Sequence, residues 1–410
     1  MTIQKIGRGR ARQSVVYRDG ALGRRPVVPT DFATLEASAR RASSAKAWAY
    51  VAGGAGEGRT MNNNRAAFDR WAIVPRMTHG IRGRDLTTDL LGTAMPAPML
   101  LAPIGAGLLM DKDCDLKTAR AAAATGVPYV ISNQGCDPME QCAAAMGYAP
   151  RWFQLYWSTD DSVVDSLITR AENIGAFALI VTLDTTCLGW RPQDLNLGSL
   201  PFTQGVGIAQ YTSDAAFARL TSQHRDQVSD GKTAASLGAL RTLLSITRNH
   251  PGRFLAYSNP GLSWDHLATL RDRTRLPIVL KGILHPDDAH RAFEMGVEGI
   301  VVSNHGGRQI DNAVASLDAL IRIRDEVGRE PTVLLDSGIR TGADVFTALA
   351  LGADAVLLGR PYMYGLAIAG QRGVEDVIAN IIAELDLTMA LTGAASIGDI
   401  TRDFLDGGDW

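Results

Sequence analysis

Eight short apolar runs, each leading into a polar or glycine-rich corner, limit what this 410-residue chain can fold into. They lie at 98–102 (PMLLA), 128–132 (PYVIS), 152–156 (WFQLY), 178–184 (ALIVTLD), 277–281 (PIVLK), 299–304 (GIVVSN), 332–336 (TVLLD) and 355–359 (AVLLG). Runs that are apolar at nearly every position mark strands buried on both faces, as in a parallel sheet covered by helices. Between them, 116–124, 162–174, 286–293 and 343–351 have helix-forming composition with 3.6-residue spacing. Gly126, Gly175, Gly296 and Gly352 follow these segments, where a helix end favours glycine. Alternation that closes after eight units predicts an α/β chain folded as a (β/α)8 TIM barrel. An open doubly wound sheet is the alternative, but no G-x-G-x-x-G follows an early strand.

The rest of the chain arranges itself around that barrel. Residues 1–29 read as a solvated N-terminal tail carrying Lys5, Arg8, Arg10 and Arg12, and 30–405 as one domain. Within it, 30–75 is mainly helical with a glycine-rich turn at 53–56, and 373–391 is a covering helix. The stretch 192–276 after strand four is a loop or lid insertion with mixed segments at 214–220 and 234–247. An uncharged run, 90–110, is long enough to span a membrane, but Pro96, Pro98, Pro103 and several glycines divide it into turn, buried strand and loop. A formal net charge of -2 supplies no basic field for nucleic acid or an anionic membrane. Cys114, Cys136, Cys142 and Cys187 lack C-x-x-C spacing and suit a reducing cytosol as small buried residues. With no basic-then-apolar start, the expectation is a cytoplasmic, soluble protein.

In a barrel, reactive groups belong at the C-terminal ends of strands. Those ends carry Ser132, Gln154, Tyr156, Thr182, Asp184, Lys281, Ser303, Asn304, His305, Asp336, Gly359 and Arg360. Any one of them suits a satisfied structural role; a base, an acid, a cation and amides on one rim suit a catalytic one. Of seven histidines only His305 directly follows an apolar strand and enters a glycine-rich turn, SNHGGRQ at 303–309. Arg308 in that turn offers a planar fork for a carboxylate, and an imidazole beside it is what removing a proton from a hydroxy acid requires. Strand seven ends in Asp336, Ser337, Gly338, Ile339 and Arg340, and strand eight in Gly359, Arg360 and Pro361. Glycine-rich corners with arginine at these two places predict a phosphorylated ligand, and by themselves no more than that.

SNHGGRQ, together with YVAGGAGE at 50–57, APIG at 102–105, LGWRPQDL at 188–195, KGILHPDDA at 281–289 and LLDSGIRTGADV at 334–345, resembles the FMN-dependent 2-hydroxy acid dehydrogenase/oxidase family. The likeness runs from about residue 30 to about residue 400 and looks closest to lactate 2-monooxygenase. It implies FMN as the cofactor, without a metal, and oxidation of a small L-2-hydroxy acid to the 2-keto acid with oxygen as acceptor, by simple oxidation or by oxidative decarboxylation. It further implies His305 as catalytic base oriented by Asp184, Arg308 and Tyr50 on the substrate carboxylate, and Tyr156 on the substrate oxygen. Arg191 would face the substrate from the mobile loop, and Lys281 would sit by the flavin. Ser132, Gln154 and Thr182 would bond the ring, with Pro103, Ile104 and Gly105 against it. Ser303, Asp336, Ser337, Gly338, Arg340, Gly359 and Arg360 complete the expected cofactor site. The assembly implied is a homotetramer or octamer. Asn133 and Gln134 stand where the family usually has small or aromatic residues, and Trp157 adds bulk after Tyr156. A larger, mandelate-type or biosynthetic 2-hydroxy acid is therefore the alternative substrate.

Overall fold

Eight parallel strands close on themselves in a computed structural model that describes residues 7–81, 83–226 and 258–407. In chain order they are β1 (Met99–Leu101), β2 (Tyr129–Ile131), β3 (Arg151–Leu155), β4 (Leu179–Thr182), β5 (Ile278–Ile283), β6 (Gly299–Val302), β7 (Thr332–Leu335) and β8 (Ala355–Leu358). Each pairs with the next, and β8 returns to β1 through Leu357 opposite Leu100. All eight apolar runs are barrel strands, so the open-sheet alternative does not apply.

Successive residues of a strand face opposite sides, and here that alternation makes two cores. Leu100, Val130, Trp152, Ile180, Val279, Val301, Leu334 and Leu357 fill the barrel as one buried cluster. Their neighbours, among them Leu101, Ile131, Phe153, Val181, Leu280, Val302, Leu335 and Leu358, belong to the outer core beneath the helices. A hairpin of Thr88–Leu90 and Thr93–Met95 lies below: Leu90 and Met95 join the inner cluster, and Trp152 Nε1 donates to Thr93 Oγ1 at 3.0 Å. The uncharged 90–110 run thus resolves into part of this hairpin, β1 and a 3-10 turn, Gly107–Leu109. Among the described residues no helix is long and apolar enough to cross a membrane.

Four helices precede the barrel: α1 (Arg8–Ala21), α2 (Phe32–Ala42), α3 (Ala45–Ala52) and α4 (Arg59–Asp69). Around it run α5 (Cys114–Thr125), α6 (Met139–Met146), α7 (Asp161–Asn173), α8 (Pro286–Glu294), α9 (Ser316–Val327), α10 (Gly342–Ala350) and α11 (Arg360–Thr392). Their starts are capped chemically: Asp160 accepts from Ser162 N and Val163 N, and Thr341 with Asp344 forms a capping box at α10. Gly126, Gly175, Gly296 and Gly352 end helices with φ of 73°, 67°, 80° and 110°, the left-handed region that favours glycine. The insertion after β4 begins with short helices at Pro192–Asn196, Pro201–Gln204 and Ala209–Thr212, followed by Ala215–Asp226. The mixed segment at 234–247 lies outside the described residues, as does Lys5.

Two expectations change. The covering helix starts at Arg360 rather than 373 and is kinked where Ala369 and Gly370 leave helical geometry. The N-terminal stretch is more than a solvated tail, because residues 8–21 are helix α1, docked on α11. Gly9 N donates to Asp386 at 2.8 Å, Arg12 pairs with Asp376 at 3.2 Å, and Arg84 holds Asp386 through two hydrogen bonds of 2.8 and 2.9 Å. The Arg84 and Asp386 side chains are only 9% and 1% exposed, so removing one partner leaves a buried charge alone. Arg84→Ala should therefore cost about 3–5 kcal/mol of stability in denaturant unfolding. A loss under about 1 kcal/mol, the level of an exposed pair, would show that Asp386 has other support.

Candidate active site

One pleat step above the inner apolar layer, the same alternation turns Ala102, Ser132, Gln154, Thr182, Lys281, Ser303, Asp336 and Gly359 toward the barrel axis at its C-terminal mouth. Each lies two residues beyond one of the eight inner-core residues. Above them opens a cavity of ≈ 350 Å³, lined by all of these but Ser303 and by Tyr50, Pro103, Ile104, Gly105, Tyr156, Arg191, His305, Arg308, Ser337, Gly338, Arg340 and Arg360.

His305 sits in a strained turn. It, Gly306 and Gly307 have φ of 58°, 66° and 73°, and for a non-glycine residue that geometry costs free energy the surroundings must supply. Ser303 Oγ accepts from His305 N at 3.0 Å, Ser337 Oγ accepts from Gly306 N at 2.8 Å, and Asn304 Oδ1 accepts from Gly307 N at 3.0 Å. Asn304 is itself paired with Asn64 of α4 through hydrogen bonds of 2.9 and 2.7 Å. The turn presents the imidazole to the cavity with Nδ1 2.7 Å from Asp184 Oδ1 and 3.2 Å from the Thr185 hydroxyl. A carboxylate on Nδ1 keeps the proton there and leaves the Nε2 lone pair free.

The charges around this pair fix their protonation. Burial pushes the Asp184 carboxyl up, but His305 and Lys281 outweigh it and hold Asp184 well below the usual carboxylate range. Burial lowers His305 below its ordinary value, helped by Lys281 and opposed by Asp184. Burial also works against the Lys281 ammonium, yet Asp336 at 3.3 Å and Asp184 at 3.8 Å leave its pKa above the ordinary lysine value. The state at neutral pH is an ionised Asp184, a neutral His305 and a charged Lys281.

On the α3 side the cavity collects cations. Arg308 lies over the Tyr50 ring at 5.0 Å and donates to Gly53 O at 2.8 Å. Arg191 donates to Arg308 O at 3.1 Å and to Gln309 Oε1 at 2.7 Å. Burial, with Arg191 alongside, pushes the Arg308 guanidinium down to about 9. Two crowded cations of this kind are relieved by one carboxylate. Tyr156 is pushed by burial up to about 12, so its phenol keeps its proton and can donate.

Beside the Arg308 and Arg191 pair stands a second cationic group: Arg360, after β8, donates at 2.9 Å to Gly53 O, the carbonyl that also accepts from Arg308, and Arg340 follows β7. Burial and Arg360 push Arg340 down to about 10, and burial lowers Arg360 as well. Arg360 opens the long helix α11, whose N-terminus favours an anion. On the barrel floor, Gln154 Oε1 accepts from Asn133 N at 3.0 Å, leaving Gln154 Nε2 buried with no partner among the described residues. Thr182 Oγ1 is orphaned in the same way. An anion site joined by unpaired polar groups to a buried lysine fits FMN, with its phosphate at one end and its polar ring at the other.

Every expected site residue lines the cavity except Asp184 and Ser303. Asp184 stands behind His305. Ser303 is fully buried and accepts a hydrogen bond from Lys281 Nζ at 2.8 Å, so its geometry is that of a support beneath the lysine and not of a cofactor contact. Two of the residues expected to shape the substrate pocket also move. Trp157 follows the inward Tyr156, so the pleat turns it outward, where it packs edge-on to His266 and under Arg273. Asn133 is likewise out of the cavity and accepts from Tyr156 N at 2.9 Å, while Gln134 does line it. Sequence reasoning overlooked Thr185, Ser258, Phe202 and Gln309. Phe202 comes from the insertion and meets Tyr50 edge-on at 6.3 Å. Gln309 donates to Asp184 O and Cys187 O at 2.7 and 2.9 Å, joining the 184–191 segment to the histidine turn. Only Gln309 had a local signal, as the last residue of SNHGGRQ.

Comparison with known proteins bears on this geometry. The family model described as FMN-dependent dehydrogenase matches residues 39–407. An FMN-dependent alpha-hydroxy acid dehydrogenase, qulF, of Penicillium citrinum is 42% identical over 95% of this chain and 94% of its own. An L-lactate oxidase of Lysinibacillus sphaericus is 40% identical over 90% of each chain. A crystal structure of mandelate oxidase with benzoyl-formic acid superposes with a TM-score of 0.78 at 34% identity, covering 93% of this chain and 99% of that one.

Arg340 tests the anion end. Its guanidinium packs over Phe32 at 4.4 Å, and a charged hydrogen bond to phosphate is worth roughly 1.5–3 kcal/mol. Arg340→Leu should weaken FMN binding roughly 10- to 100-fold, read by flavin fluorescence on dilution. Unchanged affinity would place the phosphate elsewhere.

Proposed function

The chain belongs to the FMN-dependent dehydrogenase family, whose members act on 2-hydroxy acids, and from that premise we propose that it oxidises a small L-2-hydroxy acid to the 2-keto acid with oxygen as final acceptor. The observation that carries the reading is the neutral His305, backed by Asp184 at 2.7 Å, in one cavity with the Arg308 and Arg191 pair. The choice of a small L-acid and of oxygen is supported by similarity to proteins named L-lactate oxidase.

In this proposal Arg308, Arg191 and Tyr50 hold the substrate carboxylate, which fixes the α-carbon relative to His305. Tyr156 donates to the substrate oxygen. His305 Nε2 takes a proton from the substrate, and Asp184 stabilises the imidazolium that results. FMN, held by Ser132, Gln154, Thr182, Lys281 and the arginines Arg340 and Arg360, supplies the two-electron oxidant when bound. Lys281 places a fixed positive charge in that part of the site. Phe202 and the rest of the insertion's first turns fold over the Tyr50 side and shield the product from water. Retention of the keto acid there favours its oxidative decarboxylation, the outcome of a lactate 2-monooxygenase. A larger acid remains the second reading, because Trp157 is turned out of the cavity and a 4-hydroxymandelate oxidase of Amycolatopsis orientalis is 36% identical.

His305→Gln should lower substrate-dependent flavin reduction by about 10²- to 10⁴-fold, the worth of a positioned base, while the protein still binds FMN. Reduction at an undiminished rate would remove the base role. The sign of the pH dependence follows from the depressed His305 pKa: acid converts the base to imidazolium and stops the reaction. The acid limb of kcat/KM should therefore fall below the ordinary histidine value of ~6.5, with a plateau through neutrality. A limb centred above about 7 would contradict a base held neutral by burial.

A further inference from the structure

Outside the active site, two thiols and a carboxyl meet at the junction of α5 with the turn after β2. Ligand atoms of Cys114, Asp115 and Cys136 all lie within 4.8 Å of one another. The carboxylate is already engaged: Asp115 Oδ2 accepts from Cys136 N at 2.5 Å and Asp137 N at 3.1 Å, and Oδ1 accepts from Tyr129 OH at 3.3 Å. That leaves little for a metal ion and sets the two sulfurs apart as a dithiol.

The sulfurs are not equivalent. Cys114 is 1% exposed, whereas Cys136 is half-buried. Cys136 Sγ accepts from Leu108 N at 3.5 Å and lies within 4.8 Å of the Cys114 thiol, which the neighbouring Cys136 and burial push far above the ordinary thiol range. Cys136 is therefore the sulfur that can be reached and that receives a donor, and Cys114 stands behind it holding a proton.

We infer that Cys114 and Cys136 form a modification site for hydrogen peroxide, which closes them into a disulfide. The Cys136 thiolate attacks one peroxide oxygen, forming an S–O bond as the O–O bond breaks, and the other oxygen leaves as hydroxide and is protonated to water. Cys114 sulfur then attacks the sulfenic sulfur, its proton leaves with the departing hydroxyl as a second water, and the S–S bond forms. Two thiols lose two electrons, and one peroxide is reduced to two waters. The bond ties the start of α5 to the turn that carries Gln134, which lines the cavity. The loop bearing Pro103, Ile104 and Gly105 rests on the same sulfurs, since a Cβ on Gly107 would meet Cys114 Sγ at 2.9 Å. If oxygen is the acceptor, peroxide arises in this same protein; added peroxide makes the test independent of that reading.

The holoenzyme, without substrate, is treated with dilute hydrogen peroxide, alkylated, and examined by intact mass and peptide mapping. The expected result is a fall from four alkylated cysteines to two, a peptide pair joined through Cys114 and Cys136, and full reversal by dithiothreitol. Cys142→Ser should keep the cross-link and Cys136→Ser should lose it; the wild-type map decides the matter should either variant fail to fold. Four cysteines still alkylated, a cross-link between another pair, or Cys136 carried to sulfinic acid without a cross-link would each overturn the site.

Discussion

The two-residue pleat of the barrel strands is the constraint from which the rest of the structure follows. Because alternate side chains face the axis, Leu100, Ile180, Val279 and Leu334 build an inner core, and the next inward step lifts Ala102, Thr182, Lys281 and Asp336 to the mouth. One repeat thus makes both a dry barrel and a polar floor for the site. The hairpin at 88–95 belongs at the bottom end, under Trp152, which leaves the C-terminal mouth as the open end.

Four arginines then form one row along the mouth. Arg191 and Arg308 crowd together beside the His305 turn, and Arg360, which shares Gly53 O with Arg308, leads on to Arg340. None of the four has a carboxylate within ion-pair distance among the described residues, whereas Lys281 lies near Asp336 and Asp184. Isolated buried cations are costly unless an anion joins them. The arrangement suits a carboxylate at the Arg308 and Arg191 end of the row, beside His305, and a phosphate at the Arg340 end. The same burial that lowers the arginines keeps His305 in its basic form, so binding and proton removal draw on one low-dielectric setting.

Much of this was legible in the sequence because parallel strands and their covering helices leave periodic signals. The eight apolar runs, the glycine helix ends and the SNHGGRQ turn are local patterns, and each lies where the pattern put it. What escaped were contacts between residues distant in the chain. Helix α1 reads as a basic tail because its partners, Asp376 and Asp386, lie more than 360 residues away. Phe202 and Ser258 come from an insertion with no periodic frame to place them. Trp157 and Asn133 show a different error: adjacency to Tyr156 and Ser132 suggested a shared site, but the pleat sends neighbours to opposite faces. Ser303 obeys the pleat and still misses the cavity, because the Lys281 ammonium lies over it.

The central claim is tested most directly by the visible spectrum of the purified protein without oxygen, before and after addition of L-lactate and a graded series of larger 2-hydroxy acids. The account predicts a yellow protein whose flavin band bleaches with one of these acids, in the L form, and recovers on admitting air. A yellow protein that none of them bleaches, or one that stays colourless after FMN is added, would contradict it.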